Sequence, residues 1–316
     1  MCAMMDYLKP PLTFAQQADL LIGRGLMVDD RERLIRRLSH VNYYRLSGYW
    51  HPFQQVDERF RPGTSFSTIW DRYLFDRKLR LLVLDMIERV EVSIKTTTTQ
   101  VFTLHHDPCG YLHKENFDPV EARKLVPRKQ TTQYEQFDLL VRKDIDRSRE
   151  PFILHHKKVF GEEVPLWKAC EVMSFGTILS FYRLLEVSLQ QEVAATYNAQ
   201  RVVLGSWLHC LSYIRNICAH HGRLWNRPLA IRPMFPSRDK RSPAPLFPAE
   251  NDHIYAILCI GSYLMDFVAP RSRWKYRVID LMERNPDIPT ADMGFPPLWR
   301  ENPLWSSPLP RSFPCC

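Results

Sequence analysis

Glycine is scarce in this chain, 11 of 316 residues, and neither G-x-G-x-x-G nor G-x-x-x-x-G-K-[ST] occurs anywhere. A dinucleotide-binding turn and a P-loop are thereby excluded. The eight cysteines (Cys2, Cys109, Cys170, Cys210, Cys218, Cys259, Cys315 and Cys316) form no C-x-x-C pair. That removes a zinc ribbon and a thioredoxin-like dithiol and points to a reduced, cytosolic protein. The longest apolar stretch, Ile254 to Ala269, carries Asp266 and falls short of the ~20 residues a membrane span requires. Met1 to Pro10 has no apolar core followed by small cleavage residues, so neither export nor membrane insertion is expected. No internal repeat and no alternating strand pattern can be read, and the expected class is all-α.

What the chain does hold is apolar and basic. Its 45% hydrophobic and 12% aromatic content exceeds the need of one small core and excludes a disordered chain. Forty-three Lys and Arg against 35 Asp and Glu leave a net charge of +8. That balance favours anionic partners, RNA first among them.

Along the chain, Thr13 and Gln16 form a capping box that opens a helix closed by Gly23 or Gly25, and Asp29 or Asp30 caps a second. The aromatic, basic segment 42–50 is expected to be a turn or short helix. From Thr68 to about Thr97, Leu79, Leu82, Val83, Met86 and Val90 recur at helical spacing, predicting the longest helix. Glu91 breaks that pattern, with Ile87 and Ile94 one turn to either side, and a half-buried carboxylate there needs a partner. Further helices are expected over Gln133–Ser148, from Leu166 to a break at Ser174-Phe175-Gly176, on to Leu189, from Trp207 to His221 capped by Ser206 and ended by Gly222, and near 251–268 and 272–284. Six prolines within 226–248 predict an extended loop, and eight from Pro286 onward an extended tail. The expected organisation is an N-terminal helical segment (1–66), a helical bundle (67–285) and a Pro-rich tail (286–316).

The segment Arg215-Asn216-Ile217-Cys218-Ala219-His220-His221 carries the chemistry. At ~100° per residue, Trp207, Cys210, Leu211, Ile214, Ile217 and Cys218 fall in one apolar sector. His209, Asn216 and His220 gather on the opposite face, and Arg215 stands on the shoulder between core and solvent. His221 falls inside the apolar sector and is expected to be packed or to finish the last turn. An imidazole suits removal of a 2′-hydroxyl proton from RNA, and a permanently charged, planar guanidinium suits the phosphorane. Asn216 can hold the imidazole tautomer or contact the ribose. Arg215 and His220 stand ~140° apart around the helix and ~7.5 Å along it. One helix therefore gives an incomplete site, and a composite site in a homodimer is expected.

R-N-x-x-x-H at the end of an apolar helix resembles the signature of the HEPN superfamily, all-helical proteins that include metal-independent RNases. More narrowly, four stretches resemble the abortive-infection (Abi-like, AbiD/AbiF-type) family: 42–49 (NYYRLSGY), 88–95 (ERVEVSIK), 171–176 (EVMSFG) and 215–226. The resemblance implies a HEPN-type helical bundle, a dimer, and phage defence by RNA cleavage or RNA binding, with a cognate small RNA or antitoxin as a further partner. It carries Arg215 and His220 over as the catalytic pair and Asn216 as their polar helper. Glu91, with His209 and Glu171, is the candidate to stand behind them. Lys95 occupies a position where arginine is the family expectation, so no bidentate role is assigned to it.

Tyr43, Tyr44 and Tyr49 around Arg45 could stack on RNA bases or pack between helices. The basic runs Arg31–Arg37, Lys124–Lys129, Arg238–Arg241 and Arg271–Arg277 read as solvated helix faces or as a track for an RNA backbone. The pairs His105-His106, His155-His156 and His220-His221 are poor chelators, because adjacent helical residues point ~100° apart. Neither a metal nor a cofactor is expected. Cys315-Cys316 does not fit C-a-a-X spacing and reads as an exposed tail.

Overall fold

The computed structural model describes residues 10–236 and 246–306. Cys2, the run Arg238–Arg241, Cys315 and Cys316 lie outside them. The chain is all-α: among the described residues there are fourteen α-helices, short 3-10 turns and isolated bridges, and no strand. It forms two compact units, Met1–Lys78 and Leu79–Cys316.

In the first unit, helices α1 (Phe14–Gly23) and α2 (Arg31–His40) pack as a hairpin that buries Ala18, Leu21, Leu34 and Leu38. The capping box forms as the sequence predicts: Thr13 Oγ1 accepts the Gln16 amide and the Gln16 side chain accepts from Thr13 N–H. Asp30, rather than Asp29, caps α2 by accepting from Arg33 N–H at 2.8 Å. The aromatic segment is a helix, α3 (Tyr43–Trp50), capped by Asn42. It buries Leu46, Tyr49 and Trp50. Tyr49 donates its hydroxyl to Asp76 at 2.6 Å, and the Arg37 guanidinium lies 4.3 Å from the Trp70 ring centre.

The long helix exceeds its predicted span at both ends: α4 runs Phe66–His105, and the division between the units falls within it. In the second unit follow α5 (Pro119–Arg123), α6 (Gln133–Arg147), α7 (Pro151–Phe160), α8 (Leu166–Val172), α9 (Phe175–Leu184), α10 (Val187–Ala195), α11 (Arg201–Ala219), α12 (Ile254–Val268), α13 (Trp274–Glu283) and α14 (Pro303–Ser306). Ser174 caps α9 by accepting from Thr177 N–H, so the predicted break stands where it was read. Asp144, almost fully buried, accepts from the Ser174 amide, the Thr177 hydroxyl and the Arg147 guanidinium, and so ties α6 to that cap. The helix expected to continue to Leu189 is two helices, α9 and α10, because the chain turns extended at Leu185 and Glu186.

Helix α12 is buried from Ile254 to Met265. Gly261 lets it close on α4: a Cβ there would lie 2.8 Å from Met86 Cε and 3.0 Å from its Cγ. The Trp274 indole N–H donates to the Leu82 carbonyl at 2.7 Å, which sets α13 against the same stretch of α4. Phe102, Phe117, Phe137 and Phe181 form one aromatic cluster.

Over residues 286–306 the tail is not extended. Residues 286–306 fold into 3-10 turns and α14, burying Phe295, Trp299, Leu304 and Trp305. The proline content misleads here because four large apolar side chains are interleaved with the prolines, and burying them outweighs the missing amide donors.

Candidate functional site at the end of helix α11

Helix α11 is where the apolar sector predicted from spacing is realised: Trp207, Cys210, Leu211, Ile214, Ile217 and Cys218 are all buried. Its start differs. The helix begins at Arg201, capped by Gln200 in extended conformation, so Ser206 is an interior residue. The Ser206 hydroxyl instead accepts from the Met234 amide at 2.8 Å, and the Trp207 indole donates to the Met234 carbonyl at 2.7 Å. These bonds, with a Cys210 thiol contact to the Ile231 carbonyl, lay the Pro-rich segment along α11.

The end of the helix is a Schellman closure. Gly222 N–H donates to the Ile217 carbonyl at 2.7 Å and His221 N–H to the Cys218 carbonyl at 3.0 Å. His221, at φ +59°, takes the left-handed position that glycine usually fills. Of the two expectations for His221 the second holds: it finishes the last turn, and it is exposed and not packed in the apolar sector, because the helical wheel does not extend past the last helical residue. Glycine is required one residue later, where a Cβ would meet Ile217 Cγ2 at 2.9 Å and the Ile217 carbonyl at 3.2 Å. The turn is pinned from α4 by Arg80, nearly buried, whose guanidinium donates to the Gly222 carbonyl at 3.3 Å. Leu224 and Trp225 are buried, and Arg223 donates to the Asn226 carbonyl at 2.7 Å. Sequence reasoning missed Arg80. Its only signal is a charge one residue past Leu79 on an otherwise apolar stretch.

On this closure the three residues singled out reach solvent: Arg215 half-buried, Asn216 and His220 exposed. Arg215 Nη1 donates to Asn216 Oδ1 at 3.2 Å. Asn216 thus holds the guanidinium and not the imidazole, and among the described residues the His220 ring has no hydrogen-bond partner. The His220 main-chain N–H closes on the Asn216 carbonyl at 3.0 Å.

The supporting candidates have other partners or surroundings. Glu91 finds its partner in Lys95, with Nζ and Oε1 3.2 Å apart and both side chains largely buried. Glu171 is exposed on α8, which packs on α6 and α7, and it lines a groove with Arg147 and Arg149. Neither residue is hydrogen-bonded or ion-paired to Arg215, Asn216 or His220. His209 stands on the wall of a pocket formed with α9 and α10, where burial, aided by the Arg183 charge, holds its pKa below the ordinary histidine value.

In the first unit, Tyr43 is half-buried, takes a hydrogen bond from Arg24 at 3.1 Å and meets Trp50 edge-on. Tyr44 and Arg45 are exposed, and both tyrosines line a cavity of about 610 Å³. Tyr49 is buried and bonded to Asp76, so it offers no face to a base.

The chain matches the family described as Abi-like protein over residues 36–226. The match begins within α2 and ends at Asn226, the residue that closes the turn behind His220. The chain belongs to the Abi-like family. Membership in the Abi-like family suggests a part in abortive-infection defence. No curated protein and no solved structure matches the chain. Among the described residues of this Abi-like chain, no helix is long and apolar enough to cross a membrane, and no group of three or more His, Cys, Asp or Glu could hold a metal ion.

Proposed function

We propose that this Abi-like protein is a metal-independent endoribonuclease of abortive-infection defence, with His220 and Arg215 as its catalytic residues and a HEPN-type site at the end of α11. The observation that carries this reading is the His220 imidazole, uncommitted among the described residues, on the same helix end as a guanidinium whose only hydrogen-bond partner among them is the neutral Asn216. His220 removes the proton of a ribose 2′-hydroxyl. The 2′-oxygen then bonds to phosphorus as the bond from phosphorus to the 5′-oxygen breaks, leaving a 2′,3′-cyclic phosphate and a 5′-hydroxyl. Arg215 holds the phosphate and the charge that gathers on its oxygens. The departing 5′-oxygen needs a proton from a second acid, and a second copy of α11 across a two-fold axis supplies it from its own His220. RNA is thus the substrate and a homodimer the working form.

A second reading takes its support from Asn216. Because that side chain holds Arg215, the His220 ring is left unoriented, which suits a binding module that grips a cognate small RNA or other structured RNA without cutting it. One experiment separates the two. Purified protein incubated with total RNA and EDTA should release fragments ending in 2′,3′-cyclic phosphate. His220→Ala should lower cleavage by roughly 10²-fold or more while RNA affinity changes little, and Arg215→Ala should weaken both. Tight binding without cleavage, with His220→Ala giving the same protection against phage as the parent chain, would establish the binding module instead.

A further inference from the structure

The N-terminal half of α11 walls a second concavity, which α5, α9 and α10 complete. Its volume is about 660 Å³, within the range of small-molecule sites. Two guanidiniums face it, Arg183 from the end of α9 and Arg201 from the start of α11. Among the described residues neither has a carboxylate within ion-pair distance, and the Arg201 side chain donates only to the neutral amide oxygen of Gln190, at 3.1 Å. The Arg183 side chain, exposed at the opening, makes no hydrogen bond among the described residues, and the walls beside it strip part of its hydration and lower its pKa, with the Glu121 charge opposing. A guanidinium so placed gains from an anion that restores what the walls removed.

The carboxylates nearby are already engaged. Asp118 caps α5, its Oδ1 accepting the amides of Val120 and Glu121 at 2.9 and 3.0 Å. Glu121 faces Lys124 at 3.4 Å. The frame behind the two arginines is firm: Gln190, buried, donates to the carbonyls of Arg183 and Leu185, and the Tyr182 hydroxyl donates to the Arg201 carbonyl at 2.9 Å. The rim is apolar in an unusual way, since Val120, Val187 and Val202 all stand exposed around the same opening. A pocket with two unneutralised guanidiniums, an imidazole and three exposed valines asks for a ligand that is anionic at one end and flat and apolar at the other.

We propose that this pocket binds a nucleoside phosphate, the phosphoryl group on Arg183 and Arg201 and the base against the valine rim. The ligand is a free nucleotide or one nucleotide of an RNA strand. The pocket uses none of Arg215, Asn216 and His220, so it stands whether or not those residues cut RNA.

Calorimetry on the full chain tests this with three probes: AMP, adenosine and a ten-residue oligoadenylate. Two variants accompany the parent. Arg183→Gln removes a side chain that makes no bond in the fold. Val202→Glu places a carboxylate on the rim in the first turn of α11, where the helix tolerates acid well. AMP binding that adenosine does not reproduce, and that falls about tenfold or more in both variants, assigns the pocket to a free nucleotide. No AMP binding, but a similar loss of oligoadenylate affinity in both variants, assigns it to the strand. Affinities for AMP and oligoadenylate that are unchanged by either substitution overturn the proposal. Cleavage of total RNA, followed in parallel for the parent chain, reports on the nuclease reading alone, so its failure and the failure of this one are told apart.

Discussion

His209 shows how one imidazole changes its meaning with its surroundings. On the helical wheel it shares a face with Asn216 and His220, and in the fold it stands in the pocket, about two turns before Asn216 and three before His220. Burial first and the Arg183 charge second keep it neutral to lower pH than a free histidine. A histidine whose folded pKa lies below its unfolded value of 6.5 binds fewer protons folded than unfolded as pH drops. Stability should therefore fall on acidification below about 6.5, and the loss should shrink in His209→Gln. Urea unfolding midpoints between pH 7.5 and 5 would measure it, and NMR should place the His209 titration midpoint below 6.5. A midpoint at or above that value would contradict the pocket's electrostatics. At this scale the sequence was legible where side chains obey helical spacing and illegible where the backbone departs from it. His221 finishes the turn, one of its two expected places, and is not packed because the left-handed position falls one residue before Gly222. The Glu91 partner, Lys95, stood one turn away in plain sight.

At the scale of elements, capping chemistry and apolar period located most helices, and small residues caused the errors. Ser206 reads in the sequence as a helix cap, and the structure gives it and its neighbour Gly205 other tasks. A Cβ on Gly205 would lie 3.3 Å from the Tyr182 ring, so its bare backbone serves the approach of α11 to α9. Ser206 holds the Met234 amide. Nothing local in the sequence distinguishes a glycine that ends a helix from one that lets two helices touch. Gly261 is of the second kind. Gly261→Val should cost about 1–3 kcal/mol by overpacking against Met86. Combined with Met86→Ala, the double variant should cost less than the sum of the two by about 0.5 kcal/mol or more. A double-mutant cycle in urea gives the coupling, and strict additivity would mean that α12 and α4 adjust without strain.

For the whole molecule, the missing strand pattern foretold the all-α architecture, whereas composition carries only an expectation about partners. The +8 charge carries an expectation about RNA: log affinity should fall linearly with log salt, by ~0.7 for each phosphate contacted on a single strand. A flat response would make the charge incidental. The composite-site argument also sets an oligomeric state. Sedimentation should find a dimer at micromolar concentration, and a monomer that still cuts RNA would remove the need for a second α11. What composition concealed was the tail, where eight prolines obscured Phe295, Trp299 and Trp305, side chains that a packed segment needs and a loose one does not.

The closure at the end of α11 has a consequence for inheritance. The Gly222 and His221 main-chain bonds and the Arg80 bond to the Gly222 carbonyl use neither the Asn216 nor the His220 side chain, and these two side chains project into solvent. Replacing His220 should leave those bonds in place. On the proposed nuclease reading, a single missense change at His220 therefore disarms the protein without loss of the folded chain. Where that activity harms the host, cells that survive its overproduction should be rich in full-length, well-folded protein altered at His220, alongside the usual truncations.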